Sequence, residues 1–296
     1  MNRRKTMKKL ASIMAVGLTV LLSTTAHAED MLQIKGSDTL INLVQRLAEV
    51  YMEENPGKYI AVTGGGSGTG IAALINEKCD IANASRLMKD KEISMAQERS
   101  VTPKRVVIAL DGLSVITNPD NPVEKLTKDQ IGAIFRGDIK NWKEVGGSDK
   151  PITLYGRQSN SGTFVFFQDF VLKGDYSQKM KRMNGNAQIV EAIRKDSSGI
   201  GYVGVGYLKD AKDLSVIKVA SQTGGEYASP LNSEDVKSGK YPLVRPLNQY
   251  VDGKPSAAVA EFLQFELGSR GQEIVLEEGF FPIPAEYEEF NSALGM

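Results

Sequence analysis

The sequence predicts an α/β protein built as two lobes around a cleft. Short apolar strand-like runs alternate with amphipathic helical patterns along the whole chain, which is the signature of mixed α/β layers. Two segments, near 106–117 and 241–251, are β-rich for longer than one lobe's strand needs. Neither an internal repeat nor a low-complexity linker separates the pieces. If both long segments cross between lobes, the chain leaves the first lobe near residue 112, builds the second, and returns near 245. The periodicity alone also allows a single open sheet.

The elements follow in order. "LQIKG" reads as a strand, and "TLINLVQRLAEVYMEENPG" as a helix, because Leu40, Leu43, Val44, Leu47, Val50 and Tyr51 recur at three- and four-residue steps. Thr39 is placed to cap that helix, and Pro56 with Gly57 lies just past its end. "KYIAVT" is a strand, "GGGSGTG" a turn into the helix "IAALINEK", and "DIANAS" the next strand. "KRVVIALDGLSVITN" is the first long β-rich run. "LTKDQIGAIFRG" is helical, "PITLYGR" a strand, and "FVFFQDFVL" a helix-like apolar run. "AQIVEAIRKDSSGIGYVGVGYL" reads as helix, glycine turn and strand; "YPLVRPLNQYV" is again β-rich; "SAAVAEFLQFEL" and "GQEIVLEEG" are terminal helices.

The first 28 residues read as a cleaved secretory leader. Arg3, Arg4, Lys5, Lys8 and Lys9 precede an apolar core from about Leu10 to Leu22, and "AHA" supplies a small-x-small cleavage site ending at Ala28. The apolar run is too short to span a bilayer. Removing the leader leaves 268 residues, enough for two lobes of ordinary size. It also removes five cations and no acids from a chain with 36 of each, so the exported protein is net acidic by five. Such a chain is a poor candidate for nucleic-acid binding, and any anion site in it must be built locally.

Two scarcities exclude function classes. The only histidine, His27, lies in the leader, which removes Ser-His-Asp and Cys-His catalysis and every histidine-based metal site. The only cysteine, Cys79, can form no internal disulfide and no CxxC motif, and it reads as a buried thiol. No cofactor and no metal is expected.

Three places share one design: a strand, a Gly/Ser/Thr-rich turn and a helix start. They are "KGSDTL" (35–40), "GGGSGTGI" (64–71) and "GRQSNSGTF" (156–164). A helix N-terminus carries unsatisfied N–H groups and about half a positive charge. Glycine lets a compact anion approach the backbone, and hydroxyls add donors. Any one turn is explained as an ordinary cap. "GGGSGTG" is not an NTPase phosphate loop, since no Lys-Ser/Thr follows its last glycine. Three such ends around one cleft, with Arg157 as a planar clamp, would enclose a tetrahedral oxyanion.

These pieces, with "CDIANASR", "DGLSVITN", "LTKDQIGAIFRGDIKNWKEVGG", "GIGYVG" and "YPLVRPL", run in the order found in the periplasmic phosphate-binding proteins of phosphate ABC importers. The chain resembles that family from about residue 32 to 250. The resemblance implies the two-lobed periplasmic-binding-protein (Venus-flytrap) fold, with lobe 1 formed by 29–112 plus 246–296 and lobe 2 by 113–245. It implies phosphate donors at the Thr39 hydroxyl, the Leu40 N–H, Ser67, Arg157, Ser161, the Gly162 N–H and Thr163. Trp142 is a family feature read as packing.

One departure stands out. Some family members place an aspartate after the strand matching "DIANAS" to accept the proton of hydrogen phosphate. Here "NASR" places Arg86 near that position. Arg86 is then either a second positive charge in the site, joined by Ser85, or an ion pair at the cleft rim. The missing acceptor falls to Asp111, in the first crossing, or to Asp38 in the first turn, with Asp111 preferred.

The function implied is capture of inorganic phosphate in the periplasm by a monomer that delivers it to the membrane subunits of an ABC importer. Sulfate or molybdate is the alternative ligand. A secreted phosphatase is the competing class, and it lacks a histidine base or a clustered carboxylate metal motif.

Overall fold

A computed structural model describes residues 31–253 and 255–293; the leader 1–28, with its cleavage site, lies outside the described residues. The chain starts with β1 (Leu32–Gly36), a 3-10 turn at Asp38–Leu40 and α1 (Ile41–Glu54), then β2 (Ile60–Thr63), α2 (Ser67–Ile75), β3 (Ile81–Ala84), α3 (Asp90–Glu98) and β4 (Pro103–Gly112). A second series follows: β5 (Ser114–Thr117), β6 (Lys125–Thr127), α4 (Lys128–Arg136), β7 (Thr153–Arg157), α5 (Gly162–Phe167), β8 (Lys181–Met183), α6 (Asn186–Lys195), β9 (Gly199–Val203), β10 (Ser215–Val216), β11 (Lys218–Ala220) and α7 (Ser233–Lys237). The chain closes with β12 (Val244–Asp252), α8 (Ala257–Leu267), α9 (Ser269–Glu277) and α10 (Ala285–Ser292).

The strands form two five-stranded sheets, ordered β2-β1-β3-β12-β4 and β10-β5-β9-β7-β8, and a separate pair, β11-β6. In the first sheet β1 runs parallel to β2 and β3, while β12 is antiparallel to β3 and β4. In the second, β7 runs parallel to β8 and β9, and β5 is antiparallel to β9. The single open sheet is thereby excluded.

The chain passes between the sheets at two adjacent points. β4 and β12 pair up to Gly112↔Val244, and β5 of the other sheet begins at Ser114. The Leu113 N–H donates to the Leu243 carbonyl at 2.9 Å, and the buried Tyr241 hydroxyl donates to the Leu113 carbonyl at 2.6 Å. Side-by-side crossings of this kind are the usual geometry of a hinge.

The core is apolar on both sides of this junction. α1 buries Leu43, Val44, Leu47, Val50 and Tyr51, the stripe expected from its spacing. In the second lobe Phe135, Phe167 and Tyr202 pack with ring centroids 4.1–5.4 Å apart. Trp142 is buried, and its indole N–H donates to the Ser198 carbonyl at 3.0 Å. The Cys79 thiol is buried, and burial pushes its pKa up to about 12, so it is a packing group and not a nucleophile.

Two local expectations need correction. Thr39 does not cap α1: the cap position is Leu40, without a side-chain bond, and the Thr39 hydroxyl points across the cleft. The run "FVFFQDFVL" is not one regular helix; α5 ends at Phe167 and a π-helical turn, Gln168–Leu172, continues it.

Candidate functional site

The three turns follow the carboxyl ends of the parallel strands β1, β2 and β7, where open α/β sheets place their ligands. The first turn needs glycine. Gly36 has φ +142°, and a Cβ there would lie 2.2 Å from the Asn83 carbonyl oxygen. The chain then delivers three buried groups: Ser37, whose hydroxyl donates to Ser85 Oγ at 2.9 Å; Thr39, 2.8 Å from Thr163 Oγ1; and Leu40, whose N–H reaches the Ser37 carbonyl at 3.2 Å.

The second turn is shaped by contact with the other lobe. Gly65 and Gly66 have φ +116° and +95°. A Cβ on Gly66 would stand 2.8 Å from the Asn160 carbonyl oxygen. The Gly68 N–H donates to that carbonyl at 3.0 Å, and Asn160 Nδ2 returns a bond to the Gly65 carbonyl at 2.7 Å. Ser67, fully buried, accepts the Ser85 N–H at 3.0 Å.

The third turn meets the second directly. A Cβ on Gly162 would lie 2.2 Å from Ser67 Oγ and 2.7 Å from Ser85 Oγ, so only glycine allows α5 to start there. Ser161 caps α5 by accepting the Phe164 N–H at 3.4 Å. Ser67 and Ser161 thus each accept from a fixed backbone N–H. Each hydroxyl keeps its proton, which must point away from that donor, and one further lone pair.

Arg157 ends β7 and is 2% exposed. Its Nη2 donates to the Asn184 carbonyl at 2.9 Å and lies 3.6 Å from Asp38 Oδ2. Its Nε and Nη1 are buried without a hydrogen-bond partner among the described residues. A buried guanidinium with unmet donors is costly, and native proteins keep such a feature where something else supplies the acceptor.

Asp38 is fixed by the second lobe. The Tyr207 hydroxyl donates to its carbonyl at 2.6 Å, and the Asn186 N–H approaches Oδ1 at 3.3 Å. Burial, reinforced by Asp38, pushes the Tyr207 phenol well above its ordinary range, so it remains a donor. Asp111 is fully buried: its Oδ1 accepts the Val205 N–H at 2.9 Å, and its Oδ2 accepts Nε and Nη2 of Arg245 at 3.0 and 2.8 Å.

The structure places Arg86 in an ion pair. Its Nη1 and Nη2 reach Glu92 at 2.7 and 2.6 Å, and Nη1 also reaches the Leu87 carbonyl at 2.8 Å. Burial alone would raise the Glu92 pKa, but the hydrogen bonds from Arg86 and the Lys89 backbone outweigh it and hold the carboxylate below its usual range. Ser85, its neighbour, does join the hydroxyl cluster, 3.4 Å from both Ser67 Oγ and Thr163 Oγ1.

Sequence reasoning missed Arg245, 2% exposed, which touches Asp111, Thr163 and the Ser85 carbonyl. It also missed Ser37, Asn160, Asn184 and Tyr207 as partners. One signal was available: an arginine inside the apolar β-run "YPLVRPL" is anomalous unless something pairs it.

Comparison with known proteins places the chain in a family. The PBP superfamily domain matches residues 23–270. The phosphate-binding protein PstS of Pseudomonas aeruginosa is 33% identical over 272 residues, covering 86% of this chain and 83% of its own. PstS of Bacillus subtilis is 32% identical, covering 86% and 82%. A Clostridium perfringens structure with bound phosphate superposes with TM-score 0.77 at 29% identity, over 86% of this chain and all of that one. An ABC-type phosphate transport receptor from Vibrio cholerae gives TM-score 0.69 at 28% identity, over 86% and 100%. The chain therefore belongs to the PstS phosphate-binding proteins of the PBP superfamily.

Proposed function

We propose that this protein captures inorganic phosphate between its lobes and delivers it to the membrane subunits of an ABC importer. The observation that carries the reading is Arg157, a buried guanidinium whose Nε and Nη1 lack partners among the described residues, beside a cluster of buried hydroxyls. These two nitrogens hold charge-assisted donors for oxygens of a tetrahedral anion. Around it, the hydroxyls of Thr39, Ser67, Ser161 and Thr163 and the Gly162 N–H form a donor shell drawn from both lobes, which the Leu40 N–H would join by sharing its long 3.2 Å bond to the Ser37 carbonyl. Closure of the lobes on the anion gives the closed form affinity that the open form lacks. The sheet change at Leu113 and Leu243 supports lobes of 29–112 with 246–296 and 113–245, save that Val244 and Arg245 already lie on β12 of the first sheet.

The role is binding without turnover. The chain has no histidine beyond His27 to activate a serine. A chromogenic phosphate ester should stay intact with and without divalent metals. The leader supports export with cleavage near Ala28, which N-terminal sequencing of secreted protein tests directly.

Selectivity against sulfate needs a carboxylate that accepts the proton phosphate retains near neutral pH. Both Asp111 oxygens already carry N–H donors, while Asp38 Oδ2 has only the Arg157 Nη2 donor near it among the described residues, at 3.6 Å. This favours Asp38 over Asp111. Calorimetric titration with phosphate, sulfate, molybdate and arsenate tests the ligand: one tight phosphate site and a weak sulfate site are expected. Wild type that binds both alike reduces the assignment to a tetrahedral oxyanion. Asp38→Asn should then collapse the phosphate-to-sulfate ratio, and a ratio lost in Asp111→Asn alone would return the role to Asp111.

A further inference from the structure

Arg245 is a second buried guanidinium in the same site, and its Nε, Nη1 and Nη2 all have partners. It lies on β12, next to the Val244↔Gly112 pair where β12 and β4 part. Four bonds fix it: Nε and Nη2 to Asp111 Oδ2 at 3.0 and 2.8 Å, Nη1 to the Ser85 carbonyl at 3.0 Å, and Nη2 to Thr163 Oγ1 at 3.0 Å. The Phe166 ring covers it, 5.1 Å from centroid to guanidinium carbon. Its partners therefore come from a crossing strand, from the turn after β3 in one lobe, and from α5 in the other.

A guanidinium donates and never accepts. In the bond with Arg245, Thr163 Oγ1 must be the acceptor. Its own proton then has to be given away, and its neighbours are Thr39 Oγ1 at 2.8 Å and Ser85 Oγ at 3.4 Å. Without the guanidinium, both lone pairs of Thr163 Oγ1 are open to its hydroxyl neighbours and its proton is less fixed. With it, one lone pair of Thr163 is taken, as one is on Ser67 and on Ser161, which narrows the directions left to its proton. The contact joins β12, at the hinge crossing, to α5 of the second lobe.

We propose that Arg245 is a positioning residue for anion capture: by donating to Thr163 Oγ1 it fixes that hydroxyl in place and biases its proton toward an acceptor in the cleft. This rests on the phosphate reading above, and it adds a residue that acts through Thr163 instead of touching the anion. The prediction is specific to that route. Arg245→Lys keeps a cation that can still meet Asp111 but cannot also hold Thr163 Oγ1 in a planar fork.

The test is a double-mutant cycle read by calorimetric titration with inorganic phosphate, on folded protein checked by circular dichroism. Arg245→Lys should weaken binding by about tenfold, the scale of one charge-assisted hydrogen bond, and Thr163→Val by a similar factor. The double variant should bind within about threefold of Thr163→Val alone, because the two act on one hydroxyl. Losses that multiply in the double variant would overturn the proposal and leave Arg245 a strut of the hinge; so would wild-type affinity in Arg245→Lys. If Arg245→Lys does not fold, Thr163→Ser against Thr163→Val carries the test alone, and equal affinities in those two would overturn it. A wild type that does not bind phosphate defeats the functional reading itself, which separates that failure from this one.

Discussion

Arg157 and Arg245 are both 2% exposed and both line the junction of the lobes, yet one is saturated and the other is not. Arg245 has its charge matched by Asp111 and its donors taken by protein oxygens. Arg157 has Asp38 at 3.6 Å, one bond to a carbonyl, and two nitrogens without partners among the described residues. Burial depresses the Arg245 pKa and Asp111 opposes that shift, the pattern of a charge held by the fold. The difference teaches how an acidic protein builds an anion site: one guanidinium is committed to shape, and the other is held incomplete for the ligand.

The largest effect should come from the incomplete one. Arg157→Ala should weaken phosphate binding by about a hundredfold or more, since charge-assisted bonds are worth about 1.5–3 kcal/mol each and two are lost. Arg157→Lys should recover only part of this, lacking the fork. In denaturant melts without phosphate, Arg157→Ala should remain within about 1 kcal/mol of wild type, because a buried donor set with unmet partners adds little to the native state. Near-native affinity in the alanine variant would erase the contrast.

The saturated arginine should behave in the opposite way. Asp111→Ala leaves Arg245 buried and unpaired, and should lower unfolding free energy by about 3–5 kcal/mol in denaturant melts. A smaller stability loss than for Arg157→Ala would invert the assignment of the two arginines.

This contrast also marks what the sequence could disclose. Local chemistry was legible: the hydroxyl-glycine turns, Arg157 four residues before Ser161, and the stripe of α1 all follow from spacing within one element. The two-sheet plan could be read from two over-long β-runs. What was hidden is pairing across long separations. Arg245 meets Asp111 134 residues away, and Asp38 meets Asn186 148 away. No local pattern reports which buried charge finds which partner. Thr39 misleads for the same reason: a threonine before a helix looks like a cap, and only the approach of Thr163 from the other lobe turns its hydroxyl to the cleft. Arg86 is the converse, since its partner Glu92 is only six residues on, at the start of α3, a helix the periodicity did not disclose.

A buried acid sharpens the comparison. Glu266 on α8 is fully buried, with Oε1 accepting from Gln249 Nε2 at 3.1 Å and Oε2 without a partner among the described residues. Burial raises its pKa well above the ordinary carboxyl value, against the Gln249 hydrogen bond. A raised acid stabilises the fold fully below the unfolded pKa of about 4.3, and that contribution is lost as pH rises toward the folded value. Glu266→Gln removes the dependence. The variant should therefore gain on wild type by about 1.4 kcal/mol per pH unit above pH ~4.3, until the native group ionises. Parallel stability-pH curves for the two proteins would mean that Glu266 is charged in the native state.

The smallest effect should come from the third arginine, and it tests the departure from the family pattern. Arg86 spends both terminal nitrogens on Glu92, whose carboxylate also accepts the Lys89 N–H at 2.8 Å and so anchors the first turn of α3. The side chains are 7% and 19% exposed, so the pair is shielded more than a surface bridge yet reached by solvent on the Glu92 side. Glu92→Gln keeps the shape and removes the charge. If Arg86 is committed to this pair, the change should cost about 1 kcal/mol or less of stability and leave phosphate affinity within about threefold. If instead Arg86 contributes charge to the anion, freeing it from Glu92 should tighten phosphate binding, with a steeper dependence on salt as the unpaired cation is screened. Titrations of wild type and Glu92→Gln at two ionic strengths separate these outcomes: matching affinities and salt slopes assign Arg86 to the scaffold alongside Arg245, and a tighter, more salt-sensitive variant assigns it to the ligand alongside Arg157.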